Sequence, residues 1–362
     1  MRRAQLSARQ NFWQSTIMIS KRRLVLSPEL TAKLSALGTE LGPSDRDLEN
    51  VLADLAALSP QLTVRASREI THAVGLHWWP TSRSITLEWH FGSLSYRHEL
   101  MRKNPEYAWL FLFDGNGYVR EAALNSLSTP PRSAFFFSAL AWRLNDWVRA
   151  VRQAAERCSE RVLHRTASDV AANAALYLLD RHLVWGRWSN ESKALDRTFE
   201  REDVMADLAL QIAQRSTGPL SNCLRHALRY PTMDKHLPRL ASAAIQPSVR
   251  ALAYRCLISG KAVWTVGFEW AWIDKVYGLR RRMPKLETRE IQRTGSVADV
   301  IKAAIRDKSN IVRIVAADAV ISARSQLPDA EELIARLAND KSPAVRERAN
   351  YMLRHPVSGS SP

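Results

Sequence analysis

One pattern is written five times in this chain: DGNGYVREAALNSL at 114–127, NDWVRAVRQAAERC at 145–158, QPSVRALAYRC at 246–256, KSNIVRIVAADAV at 308–320 and KSPAVRERANYML at 341–353. Aligned on the Val-Arg pair, four copies place an aspartate five residues before the valine (Asp114, Asp146, Asp307, Asp340), and the Val249 copy has Ala244 there. An alanine stands four residues after every valine, at Ala123, Ala155, Ala253, Ala316 and Ala349. Eight residues after come Leu127, Leu257, Val320 and Leu353, with Ser159 in the second copy. Positions i, i+4 and i+8 make one stripe of a helix, and a small residue at its centre lets a neighbouring helix approach closely. The aspartate falls in the preceding turn, where its carboxylate can accept N–H groups at the new helix's start.

The landmark valines are Val119, Val151, Val249, Val312 and Val345. The first and last intervals are each one period of a two-helix repeat, and the two between them are close to three periods and two. That predicts a continuous array with three worn copies. One of these is LSNCLRHAL at 220–228, which keeps Leu220, Leu224 and Leu228; the others are expected near 185 and 281. Upstream of the clear copies lie further helical stretches (PEYAWLFLF, SAFFFSALAWRL, VADVIKAAIRD, DAEELIARLAND), so each unit is two helices. Such a unit cannot bury its apolar face alone and must stack on its neighbours. A β-sheet within 100–357 would contradict this reading.

The D-x4-V-R-x3-A-x3-L pattern resembles HEAT repeats, in particular the short bacterial variety also seen in phycobilin-lyase-like proteins, over roughly 100–357. Neither the TPLH of ankyrin repeats nor the W-x2-LG-x2-Y of tetratricopeptide repeats occurs. The resemblance implies an all-α fold, an α-solenoid of about eight two-helix repeats behind a helical N-terminal cap. It also implies a ladder tying each unit's turn to the next through Asp114, Arg120, Asp146, Arg152, Arg250, Asp307, Arg313, Asp340 and Arg346, residues that are then structural rather than ligand-binding. The family spans scaffolds, adaptors, lyases and DNA-repair enzymes, so the resemblance leaves function open. The expected layout is a basic arm at 1–26, a helical cap at 27–100 with helix caps at Ser27 and Ser44, the repeats at 101–357 and a tail at 358–362.

Composition narrows the class. Apolar residues make up 46% and charged residues 24%, too apolar for bulk disorder. The longest apolar runs, 107–113 and 133–142, fall short of the ~18 to 20 residues of a membrane span. The three cysteines, Cys158, Cys223 and Cys256, form no CxxC pair, which points to buried thiols in a reducing, cytoplasmic setting with no metal site and no cofactor.

The net charge of +16 is unevenly placed. Residues 1–28 hold six basic residues and no acid, and residues 208–285 hold thirteen against three. The second segment also carries Trp264, Trp270 and Trp272, and arginines interleaved with aromatic rings suit an anionic polymer. Arg225, Arg229, Arg255, Arg280, Arg281, Arg282, Trp270 and Trp272 are therefore the candidate nucleic-acid-binding residues, expected to form one continuous stripe. An acidic protein partner fits nearly as well. Within GLRRRMP at 278–284 the arginines are read as a helix C-terminus stopped by Pro284.

The segment GLHWWPTSRSITLEWHF at 75–91, with His77, Trp78, Trp79, Trp89 and His90, reads as an aromatic plug on the array's end. Phosphate-loop, zincin and Gly-x-Ser-x-Gly patterns are absent, so no catalytic residue is assigned. One enzymatic alternative survives, a HEAT-like alkylpurine DNA glycosylase, on the loose imitation Trp270-Ala-Trp272-Ile-Asp274 of that family's Trp-Trp-Asp element. The leading expectation is a non-enzymatic scaffold that binds nucleic acid or an acidic protein, with a purely protein-binding adaptor as a further alternative.

Overall fold

A computed structural model describes residues 24–39, 44–76, 94–187, 192–293 and 295–355. The basic residues of 1–23 and the aromatic plug residues His77, Trp78, Trp79, Trp89 and His90 lie outside the described residues, as does the tail. Within them stand 18 α-helices and one two-stranded sheet, so the all-α class fits apart from that sheet. The chain divides into two compact units, one made of residues up to 58 together with 62–123, the other of 59–61 together with 124 onward.

The first unit contains α1 (Pro28–Thr39), α2 (Asp45–Ala56), α3 (Thr63–Ala73), α4 (Leu94–Lys103), α5 (Tyr107–Phe111) and most of α6 (Gly117–Ser126). Both expected caps are present: Ser27 Oγ accepts from Leu30 N at 3.2 Å and Ser44 Oγ from Asp47 N at 3.2 Å. Helix α1 packs on α2 and α3. Its Gly38 lies so close to Val74 that a Cβ would stand 2.5 Å from the Val74 carbonyl oxygen, a contact only glycine permits. Trp109, Phe111 and Phe113 are buried in this unit's core.

The second unit continues with α7 (Ala134–Arg143), α8 (Arg149–Val162), α9 (Ser168–Leu178), α10 (Lys193–Glu200), α11 (Glu202–Gln214), α12 (Leu220–Ala227), α13 (Leu237–Ala243) and α14 (Pro247–Ser259). Then come β1 (Lys261–Asp274), β2 (Leu279–Glu290), α15 (Val297–Ile305), α16 (Asn310–Ala323), α17 (Ala330–Ala338) and α18 (Pro343–Arg354). Helices α7, α9, α11 and α13 touch in succession, and so do α14, α16 and α18. Across these rows α7 packs on α8, α13 on α14, α15 on α16 and α17 on α18.

Each repeated valine is the third residue of its helix, in α6, α8, α14, α16 and α18, and each is fully buried with the alanine four residues on. The stripe's last position is buried at Leu127, Ser159, Leu257 and Val320 but exposed at Leu353, in the final helix. Three of the four aspartates accept the N–H two residues on at 2.7 Å, from Asn116, Ser309 and Ser342, and Asp146 accepts from Val148 at 3.0 Å. All five arginines send Nη1 to the carbonyl six residues back: Arg120 to Asp114, Arg152 to Asp146, Arg250 to Ala244, Arg313 to Asp307 and Arg346 to Asp340, at 2.7–2.9 Å. The arginine thus closes the turn before its own helix.

Arg250 and Arg313 also reach the next unit's aspartate with a fork. Arg250 Nε and Nη2 meet Asp307 Oδ2 and Oδ1 at 2.8 and 2.9 Å, and Arg313 meets Asp340 at 2.6 and 2.9 Å. Arg97 holds Asp114 at 2.6 Å and Arg143 holds Asp146 at 2.7 Å.

A β-sheet does stand within 100–357, the result named above as contradicting the repeat reading, and the expectation of an uninterrupted helical array is overturned. The interval between Val249 and Val312 is not two units; residues 261–290 are an antiparallel hairpin, and with that segment taken out the interval shrinks to the one period that separates Val312 from Val345. No worn copy exists near 281, where β2 runs. Between α8 and α14 the longest interval holds α9 to α13. LSNCLRHAL forms α12 and the residue after it, with Leu220, Leu224 and Leu228 buried. Near 185 the described residues form the 3-10 turn Arg181–Leu183, and α10 starts at Lys193.

Candidate functional site

The hairpin begins where α14 ends. Gly260 takes φ +72°, closing the helix with its N–H on Cys256 O at 2.8 Å, and the chain leaves as a strand. Its foot is tied to the helices by Arg289, which donates to Leu228 O (2.9 Å), Tyr230 O (3.1 Å) and both Asp234 oxygens (2.8 and 2.5 Å). Ala262 and Trp264, on the same face as Arg289, are buried. Beyond the foot almost every side chain is exposed.

The strands alternate as a hairpin must, so residues paired across it share a face. Trp270 pairs with Arg282, Trp272 with Arg280 and Phe268 with Pro284, and all six stand on one face. Diagonal contacts bind them: the Arg282 Cζ lies 4.1 Å from the Phe268 ring centre and the Arg280 Cζ 5.1 Å from that of Trp270. Trp270 and Trp272 are nonetheless 60% and 54% exposed, far more than rings that serve packing. On the opposite face are Arg281, Met283 and Lys285 with Glu269 and Ala271. The turn is closed by Asp274, whose Oδ1 accepts from Val276 N (2.8 Å) and Tyr277 N (3.1 Å), and by Gly278 at φ +67°. Around it Ile273, Val276, Tyr277 and Leu279 are exposed.

Two expectations are corrected here. GLRRRMP is a strand rather than a helix end, and Pro284 sits in a two-stranded sheet, where an unpaired outer edge tolerates a residue without an N–H. The single stripe also fails. Arg281 faces away from Arg280 and Arg282. Arg225 and Arg229 are in and just after α12, where Arg229 is held by Asp196 at 3.1 Å and stacks on Tyr230, and Arg255 is exposed on α14.

Counting charge along a window misled because partners come from outside it. Lys235 pairs with Glu202 at 2.8 Å and Arg250 with Asp307, as Arg229 does with Asp196. Among the described residues Arg280, Arg281 and Arg282 make no ion pair. The three cysteines are buried and unbridged, and burial pushes their thiols up to about 12 for Cys158 and Cys223 and about 11 for Cys256. No described helix is long and apolar enough to cross a membrane. No protein-family model matches the chain, and no curated protein matches it in sequence.

Proposed function

We propose that this chain is a HEAT-like repeat scaffold, without catalytic activity of its own, that binds nucleic acid through a basic, aromatic hairpin inserted between two repeat units. The repeat reading is supported by the five-fold arginine-to-carbonyl bond and by the Arg250–Asp307 fork, which joins the helices on either side of the hairpin as Arg313–Asp340 joins the next pair. With the stripe gone, the nucleic-acid reading rests on one observation, the exposed face on which Phe268, Trp270 and Trp272 alternate against Arg280 and Arg282 with no carboxylate to neutralise them. Cations neutralise phosphates and free ring faces stack on bases. Asp274 is assigned to closing the turn rather than to base excision, because its Oδ1 is engaged by two backbone N–H groups. The buried, unbridged thiols fit a reducing compartment such as the cytoplasm.

The exposed Ile273, Val276 and Leu279 favour a second reading, docking on an acidic protein with an apolar pocket. Fluorescence anisotropy with labelled oligonucleotides at low salt separates the two. Binding by the wild type that is lost in Arg280→Glu/Arg282→Glu, with the far-UV circular dichroism unchanged, is expected. Absence of wild-type binding to every oligonucleotide would remove nucleic acid as the partner and leave the acidic protein.

A further inference from the structure

The hairpin gathers exposed apolar side chains that elsewhere among the described residues are scattered, as at Tyr118, Trp147 and Val184. Nine large apolar residues between Phe268 and Leu286 are at least 40% exposed, among them Phe268, Trp270 and Trp272. These three occupy alternate positions on one strand, so their rings follow one another at about 6.8 Å, twice the rise per strand residue. That is also about twice the ~3.4 Å rise per nucleotide of a stacked strand. The row therefore matches bases that have been drawn apart, not bases stacked in a duplex, whose faces are closed to a side chain.

We infer that this face takes a single-stranded nucleic acid, about three nucleotides stacking on Phe268, Trp270 and Trp272 while Arg280 and Arg282 meet the backbone phosphates, an inference that rests on the nucleic-acid reading above. Each arginine lies over one side of a ring, Arg282 at 4.1 Å from Phe268 and Arg280 at 5.1 Å from Trp270, which steadies the ring and leaves its other side for a base. The only strand carboxylate on this face is Glu290, at the foot opposite Lys261, so no acid faces the phosphates along the ring row. Specificity for base identity is not expected, because every base offers a π face and nothing on the row reads base edges. The opposite face, with Glu269 beside Arg281 and Lys285, lacks a ring row.

The test uses the full chain, oligo-dT, a blunt duplex of the same length and anionic phosphatidylserine vesicles, followed by intrinsic tryptophan fluorescence and anisotropy. The single strand should bind at least about tenfold more tightly than the duplex and quench the tryptophans. Trp270→Ala/Trp272→Ala should lose at least about 30-fold for the single strand and change duplex binding little. Folding is checked independently, since both rings are exposed and the helical signal should not move. Equal affinity for both forms, insensitive to the double variant, overturns the single-strand inference while nucleic-acid binding stands. Vesicle binding with no oligonucleotide binding overturns both and makes the exposed turn a lipid-docking element.

Discussion

Arg250 in α14 and Arg282 in the hairpin that follows that helix are used in opposite ways. The Arg250 side chain is 2% exposed, its fork closed on Asp307 and its remaining Nη1 on backbone carbonyls. Arg282 is exposed, has no acid partner among the described residues, and lies against Phe268. The same residue type is consumed by the fold where the repeat recurs and at the hairpin's foot, and is left over at Arg280 and Arg282 beyond it. The proposed function therefore rests on positive charge that folding leaves unneutralised beside exposed aromatic rings, and not on net charge.

The largest effect is expected where the arginine is buried and paired. Removing one partner of a buried pair strands the other, so Arg250→Ala or Asp307→Ala should cost on the order of 3–5 kcal/mol in urea unfolding. Arg282→Ala should stay within about 0.5 kcal/mol. Similar losses for Arg250 and Arg282 would erase the distinction. Next in size, Ala316→Leu should overpack the centre of the stripe, where Ala316 is fully buried, and cost about 1–3 kcal/mol.

A smaller effect distinguishes two aspartates of the repeat itself. The Arg313 fork, with the Ser342 N–H, holds the Asp340 carboxyl below the usual carboxylate range against the opposing effect of burial. At Asp114 burial outweighs Arg97 and the Asn116 N–H, and its carboxyl is pushed up to about 6. The signs differ accordingly. Asp340 contributes stability that is present above an unfolded value of about 4 and is lost as pH falls below it; Asp114 contributes most below about 4 and loses that contribution as pH rises towards 6. Asp340→Asn should therefore cost more at about pH 7 than at about pH 3.5, and Asp114→Asn less at about pH 7 than at about pH 4, in urea unfolding at each pH.

The helical units were legible because their constraint is local and repeated. A buried valine at the third helix position, an alanine one turn on and an arginine that closes the preceding turn must recur together, and the five copies show them at Val119, Val151, Val249, Val312 and Val345. The fork from Arg250 to Asp307 was not legible, since the worn copy expected near 281 would have stood between them; the hairpin that takes its place leaves the two units adjacent.

The hairpin was missed although its signals are present. Val263, Trp264, Thr265, Val266 and Phe268 are strand-favouring residues, Gly260 can end a helix, and Asp274 with Gly278 can make a turn. An interval near twice the period, from Val249 to Val312, drew those residues into a helix instead. Periodicity constrains only the residues that obey it; an insertion such as 261–290, itself about one period long, hides within it.

Whether the fold uses up the repeat arginines and leaves Arg280 and Arg282 of the hairpin for a polyanion is decided by the salt dependence of oligo-dT binding. The affinity of the wild type should fall steeply with salt, and Arg280→Ala/Arg282→Ala should flatten the slope of log K against log salt by roughly 1.4, two phosphate contacts at about 0.7 each. An unchanged slope in that variant, or wild-type binding indifferent to salt, would contradict that assignment.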